Sequence, residues 1–244
     1  MKFSKRSGFT IGVLSVCAVI LVAFGVAGVV EWRLRQPVDP VTAGNGAVTT
    51  VMDFAQPLSV DNLPPGWVHR KFWTKQPMKV SLVTKQGVPA LRCETNASAS
   101  MLARWTDIDI GRFPRLTWRW FVEATITSKR DERERTGDDH PIRFFLSFDG
   151  DDGQTRNAEI IWGNRRFGRG DWKLIGAFPH YVADGGDANA RQWRDESADL
   201  LEIFRKAGGT GNARLKQIAI FCDSDDTGGH TVAYVGGPVL LEKR

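Results

Sequence analysis

From residue 66 to residue 242 the chain alternates apolar and polar side chains with a period of two, and turn signals interrupt it at short intervals. A strand sends successive side chains to opposite faces, so this pattern specifies strands packed on a core by one face. The expected strands are 66–73, 78–84, 88–94, 99–105, 114–123, 141–149, 156–162, 172–178, 214–222 and 230–242. Pro64-Pro65-Gly66, Gln86-Gly87, Gly111 with Pro114, Asp149 to Gly153 and Gly163-Asn164 separate them. Many short strands so spaced predict an all-β antiparallel sandwich or barrel. One helix is expected at 197–207, capped by Ser197 or Asp195, with Leu200, Ile203, Phe204 and Ala207 on its apolar face and Gly208-Gly209 ending it.

The last two strands frame the strongest candidate for a site. Ile218, Ile220 and Cys222 alternate with Ala219 and Phe221, so both faces of that strand are apolar and both should be buried. The strand then runs into Asp223-Ser224-Asp225-Asp226-Thr227-Gly228-Gly229-His230. Three neighbouring carboxylates repel one another and call for a cation, basic side chains or open water. With Asp223, Asp225 and Asp226 as oxygen donors the cation is calcium. With Arg143 or Arg194 as partner, a bidentate pair pins the two sheets together. As a plain turn, the Asp side chains bond their own backbone and the glycines supply positive φ. On any of these readings the turn is expected at a solvent-accessible lip.

Ahead of the strands lies a segment of another kind. Phe9 to Val30 contains no charge. At about 1.5 Å per residue it is long enough for a hydrocarbon core of roughly 30 Å. Lys2, Lys5 and Arg6 precede it, which places residues 1–8 in the cytoplasm and everything after residue 30 outside. The expectation is a single-pass inner-membrane protein anchored in the lipid bilayer through 9–30, with a linker at 31–50 and a periplasmic domain at 51–244. A cleaved signal peptide is the alternative, and Leu14-Ser15-Val16-Cys17 is an imperfect lipoprotein signal. Gln36 to Thr50, rich in Pro, Gly and short polar residues, reads as an unpacked tether. The formal charge of +5 owes much to the three basic residues of the tail, and the rest is nearly balanced, which argues against a nucleic-acid partner. Beyond Cys17, Cys93 and Cys222 lie on expected strands, either as two buried thiols, the plainer reading, or as one disulfide outside the cytoplasm.

Nine tryptophans are many for this length. Trp118 and Trp120 share a strand face with Leu116 and Val122 and are expected between the sheets. Trp162, beside Gly163-Asn164, and Trp193, between arginines, are better placed at strand ends to stack on sugar rings. Residues 128–140 read as a solvated, charged loop. Asp149-Gly150-Asp151-Asp152-Gly153 imitates an EF-hand, but Ile160 stands where the twelfth ligand belongs, so a hairpin turn is expected. No nucleophile elbow, phosphate loop or dinucleotide fingerprint occurs. For catalysis only weak candidates remain: Glu159 with Asp139 or Asp223 as paired carboxylates, and His230 as a base oriented by Asp226.

Several short patterns occur in a fixed order: Trp118-x-Trp120, Asp138-Asp139 with Arg143 and Phe148, Glu159-x-x-Trp162, Arg194-Asp195 with Asp199 and Phe204, and Asp223-Ser224-Asp225-Asp226-Thr227-Gly228. Together they resemble a bacterial family of extracytoplasmic domains of unknown function. The resemblance spans roughly 52–242 and implies a jelly-roll sandwich like that of carbohydrate-binding modules. Asp226 stands where that family usually has Asn. The expected function is a non-catalytic module that binds a glycan or cell-envelope polymer through Trp162, Trp193, Arg143, Asp223 and Asp225. An accessory subunit docking on a larger membrane protein complex, and a polysaccharide-degrading enzyme, are the alternatives.

Overall fold

The computed structural model describes residues 39–243. The expected cytoplasmic tail, membrane segment 9–30 and first part of the linker lie outside them. Among the described residues no helix is long and apolar enough to cross a membrane.

The period-two pattern resolves into fourteen strands: β1 (Val41–Thr42), β2 (Val48–Met52), β3 (Trp67–Lys71), β4 (Lys79–Lys85), β5 (Val88–Asn96), β6 (Ala99–Asp109), β7 (Arg115–Val122), β8 (Arg143–Gly150), β9 (Thr155–Gly163), β10 (Trp172–Ile175), β11 (Phe178–Gly185), β12 (Arg194–Asp199), β13 (Ala213–Asp223) and β14 (His230–Glu242). They form two sheets. One runs β1-β6-β13-β8-β9-β11-β10, with β3 also beside β6; the other runs β12-β7-β14-β5-β4, with β2 also beside β14. Pairing is antiparallel except for β1–β6 and β9–β11, which are parallel. The second exception arises because β10, which follows β9, takes the sheet edge and returns as a hairpin into β11.

Alternation decides what faces inward. Phe144, Leu146 and Phe148 of β8, Ile218, Ile220 and Cys222 of β13, and Trp118 and Trp120 of β7 meet in one buried core. Trp120 stacks on Phe144, and Trp118 meets the same ring edge-on. These aromatics fill the space between the sheets, as their strand face required. The other face of β13 is buried too: Ala219 and Phe221 pack with Met101 and Ala103 beneath Phe72 and Phe145. Gln86 and Gly87 both have positive φ, the conformation of a two-residue hairpin turn, and they join β4 to β5.

Three expectations need correction. Part of the segment read as tether is built into the sheets, β1 against β6 and β2 against β14. The strand expected at 172–178 ends at Ile175; the chain turns at Gly176, and a further strand, β11, runs from Phe178 to Gly185. The helix, α1 (Leu200–Lys206), is shorter than expected because β12 extends to Asp199. The carboxylate of Asp199, not that of Ser197 or Asp195, caps it by accepting from the Leu201 and Glu202 amides. Its buried face of Leu200, Leu201, Ile203 and Phe204 packs under one end of the core.

Cys93 and Cys222 form a disulfide across a sequence separation of 129. It joins β5 of one sheet to β13 of the other, so the two-thiol reading is overturned. A loop of this size restricts the unfolded chain by an amount worth about 4–5 kcal/mol in the entropic treatment. Cys222→Ser is therefore expected to lower unfolding stability by about 2–5 kcal/mol in denaturant melts. A reductant should reproduce the loss in the parent and leave the variant unmoved; a parent indifferent to reductant would contradict the bridge.

Candidate functional site

Four strands of the larger sheet each place one charged or titratable side chain on the face turned away from the core. They are Arg143 on β8, Glu159 on β9, His180 on β11 and Lys173 on β10. Glu159 is opposite His180, and His180 is opposite Lys173, so three of them form a row across the sheet. Asp223, the last residue of β13, joins from the other side. A face carrying these groups cannot remain in a packed protein unless they neutralise one another.

They do so around Arg143, which is 3 % exposed. Its guanidinium contacts the Asp223 carboxylate, lies 2.7 Å from Glu159 Oε2 and donates to the Asp138 carbonyl at 2.8 Å. The same group lies over the Phe221 ring, 4.2 Å from its centroid. Burial works against the Arg143 charge, but Asp223, Glu159 and Asp138 outweigh it and hold the group above its usual pKa. Burial lifts the Asp223 carboxyl above its ordinary range; Arg143 pulls it down, and Asp139 pushes it further up. Asp138 pairs with Lys173. Burial opposes ionisation of Asp138, yet His140, His180 and Arg143 hold it below the usual carboxylate range.

The two buried histidines respond in opposite directions. His140 Nδ1 is 3.0 Å from the Trp162 carbonyl and must donate to it, so Nε2, 2.9 Å from Lys173 Nζ, accepts. The ring is neutral: burial first, then the Lys173 charge, push it down to about 3. Its folded value lies below its unfolded one, so its contribution to stability is complete above pH 6.5 and is lost as pH falls toward 3. His180 Nε2 lies 3.2 Å from Glu159 and 3.6 Å from Asp138. Burial opposes its charge, but these two carboxylates outweigh burial and raise its pKa. Its contribution is complete below pH 6.5 and is lost as pH rises through the folded value.

The network also organises the loops above it. Residues 128–140 are not wholly solvated, because Glu132, Gly137, Asp139 and His140 are buried. Charged side chains in that run found partners on the sheet, which alternation within the run could not reveal. Asp139 accepts from the amide and hydroxyl of Thr227 at 2.6 Å, and so ties this loop to the acidic turn. Asn164 accepts from the Ile126 amide at 2.8 Å and donates to the Asp139 carbonyl at 2.7 Å. Glu132 accepts from the Arg165 amide at 2.7 Å, and Asp187 from the Thr125 amide at 2.9 Å. Gly137 permits the fold of the loop, since a Cβ there would sit 2.3 Å from the Asp131 carbonyl. Between these braced loops lies a polar cleft of about 650 Å3, walled by residues 125–132, 164–166, Asp187 and Thr227.

The residues singled out from sequence are distributed as follows. Asp223 is buried rather than at an open lip, Asp225 is partly buried against Lys75, and only Asp226 of the three is substantially exposed. Arg143 pairs with Asp223, but both belong to the same sheet. Arg194 pairs instead with Asp184 at 2.8 Å, and this contact does cross from one sheet to the other. Trp162 is fully buried against Trp120 and presents no ring to a ligand: its strand face is the core face. Trp193 is half-buried, edge-on to Phe121, with its indole N–H donating to the Lys85 carbonyl. Glu159 and Asp139 lie in the buried network, while His230 is exposed and faces Glu94, not Asp226. The Asp149–Gly153 turn is the β8–β9 hairpin, as expected. Asp138 had appeared only within the ordered family pattern, and His140, Lys173 and His180 were not singled out. The signal for Lys173 and His180 was a lone charge or imidazole in an otherwise apolar strand.

Carboxylate oxygens of Asp139, Asp223 and Asp225 lie within 4.8 Å of one another, so Asp139 takes the place expected for Asp226 in a metal set. Calcium takes about six to eight oxygens. These three carboxylates are already engaged by Thr227, Arg143 and Lys75, and the set as arranged does not fit a cation.

A family model described as "Protein of unknown function (DUF3047)" matches residues 65–165 and 175–239. Among curated proteins none matches in sequence. Solved structures that resemble the chain include a family 30 carbohydrate-binding module of a cellulosomal cellulase of Clostridium thermocellum, with 8% identity over 81% of this chain and 98% of that one and a TM-score of 0.43. A second family 30 carbohydrate-binding module shares 8% identity over 86% of each chain, with a TM-score of 0.39. A loop-swap mutant of Xyn11A from Necallimastix patriciarum shares 12% identity over 83% of this chain and 98% of that one, with a TM-score of 0.36.

Removing one partner of a buried ion pair strands the other charges, so Arg143→Ala is expected to cost about 3–5 kcal/mol in urea unfolding. An unchanged midpoint would show that the cluster does not hold the loops. Wild-type stability should also fall between pH 6.5 and pH 3. His140→Gln should flatten that limb by about one proton, or about 1.4 kcal/mol per pH unit. Parallel slopes for the two proteins would mean that His140 is not the group responsible.

Proposed function

The chain belongs to the family described as Protein of unknown function (DUF3047), and we propose that it is a membrane-anchored, periplasmic module that binds a glycan or cell-envelope polymer without cleaving it. The observation that carries this reading is the polar cleft of about 650 Å3 at the loop end of the sandwich. Hydroxyls of Thr125, Thr127 and Ser128 and several charged groups line it. Such a surface suits ligands made of hydroxyls and charges rather than an apolar cofactor. The loops are braced from below by the buried network, so little order must be imposed when a ligand binds.

Location outside the cytoplasm is supported by the apolar segment 9–30 behind a basic tail, and by the inter-sheet disulfide, a bond that persists in oxidising compartments. A binding role rather than catalysis is supported by the state of the carboxylates. Glu159 and Asp139 are both buried and bonded, and neither lines the cleft. The test is affinity electrophoresis of the full-length protein in mild detergent, through gels cast with soluble polysaccharides. At least one polysaccharide should retard it, and Thr127→Trp, which fills the cleft, should abolish the retardation without lowering Tm. Retardation that survives Thr127→Trp would place the binding elsewhere.

One observation favours a second reading, an accessory subunit on a larger membrane complex. Trp73 is 102 % exposed, and Val68 is exposed on β3, which among the described residues pairs only with β6. An exposed indole beside an unpaired strand edge suits a protein partner. If this reading holds, Trp73→Ala loses co-purifying membrane proteins and no polysaccharide retards the parent.

A further inference from the structure

Resting on the glycan-binding reading, we infer that the ligand of the loop-end cleft is an acidic polysaccharide, held through its carboxylate or other oxyanion groups by Lys129 and Arg165. The cleft contains cations and acids in similar number, but the two signs are used differently. Each acid already serves the protein. Asp131 is clamped by the Arg133 guanidinium, with Nη2 at 2.6 Å from Oδ2. Glu132 is buried, and its two oxygens accept from the Arg165 and Arg166 amides. Asp187 Oδ1 accepts from the amide and hydroxyl of Thr125, both at 2.9 Å.

The cations are not used up in this way. Arg165 is held by its backbone amide, which leaves its guanidinium exposed beside the cleft. Lys129 lines the same cleft and is exposed as well. Among the described residues neither side chain has a carboxylate within ion-pair distance. Arg130 and Arg166 add charge at the rim: Arg130 Nη1 is 3.3 Å from the Thr136 carbonyl, and Arg166 Nε is 3.9 Å from Asp131. A guanidinium and an ammonium lining one cleft together with the hydroxyls of Thr127 and Ser128 complement a chain that alternates hydroxyls with oxyanions. Among the described residues no aromatic ring lines this cleft, so stacking on neutral sugar faces is not what it is built for. Asp226, half-exposed on the adjoining turn beside Lys75, sets an acidic limit on one side of the site.

The experiment measures binding of the full-length protein in neutral detergent to polygalacturonate and, in parallel, to neutral hydroxyethylcellulose. Polygalacturonate should bind, and hydroxyethylcellulose should bind at least about tenfold more weakly. Raising the salt from low to well above physiological should weaken polygalacturonate binding severalfold, because exposed charges are screened within roughly 10 Å at 0.1 M. Lys129→Ala combined with Arg165→Ala should cost about tenfold or more, the loss expected of two charge-assisted contacts. Lys79→Ala, an exposed cation on the other sheet, should change nothing. Equal binding of the two polymers, or an unaltered double variant, overturns the inference and leaves the glycan-binding reading standing. If neither these nor any other polysaccharide binds, the glycan reading itself fails. Anionic lipid vesicles form the third arm: capture by vesicles that is lost in the double variant, without polygalacturonate binding, assigns the cleft to membrane headgroups and overturns the inference.

Discussion

One guanidinium, that of Arg143, ties together two strands and a loop that are distant in the sequence. It sits on the outer face of a sheet, nearly sealed from water, with Asp223, Glu159 and the Asp138 backbone around it. A charge in that position is tolerable only while its partners stay in place. The partners arrive from three sources: β9, the end of β13, and the long loop between β7 and β8. The loop must therefore fold down onto the sheet, and in doing so it brings Asp139 to Thr227 and His140 to Lys173. The cleft is the space left between loops anchored in this way. Its shape is a consequence of ion pairing beneath it, not of the hydrophobic core, which lies on the other side of the sheet.

The core itself was legible from residues alone. Period two over β7, β8 and β13 named the inward faces, and Trp118, Trp120, Phe144 and Ile220 lie where alternation put them. That Ala219 and Phe221 would also be covered followed from their being apolar. What alternation cannot supply is the partner of a strand. β1 and β2 are short, and β1 wholly and β2 in part lie in a stretch whose composition is that of a linker; they are strands because β6 and β14 offer them an edge. The same limit applies to charge. The run from 128 to 140 is polar enough to be solvated, and half of its importance comes from groups that are distant in sequence. The carboxylates of 223–226 were rightly seen as needing compensation, and Arg143 supplies it to Asp223. Trp162 was misplaced for a simpler reason. Its neighbours Gly163 and Asn164 suggested an exposed strand end, but its parity with Ile160 put it in the core.

The near-neutral composition of the domain conceals a sorting by sign. Around the loop end, carboxylates turn toward backbone amides, hydroxyls and buried cations, and they brace the loops in doing so. Lys129 and Arg165 are exposed, and among the described residues neither head group has a carboxylate within ion-pair distance. The division follows from chemistry. A carboxylate is short and accepts several hydrogen bonds at once, so it suits a buried brace, whereas the heads of Lys and Arg sit on long stems that reach solvent even when the stem packs. A chain with balanced charge can in this way present a surface of one sign. The net charge near zero that argued against a nucleic-acid partner says little about an acidic one of another kind, because a ligand meets the surface and not the total. The field at the cleft is set by the groups whose charge is not already spent within the fold. Asp131, Glu132 and Asp187 are spent; Lys129 and Arg165 are not.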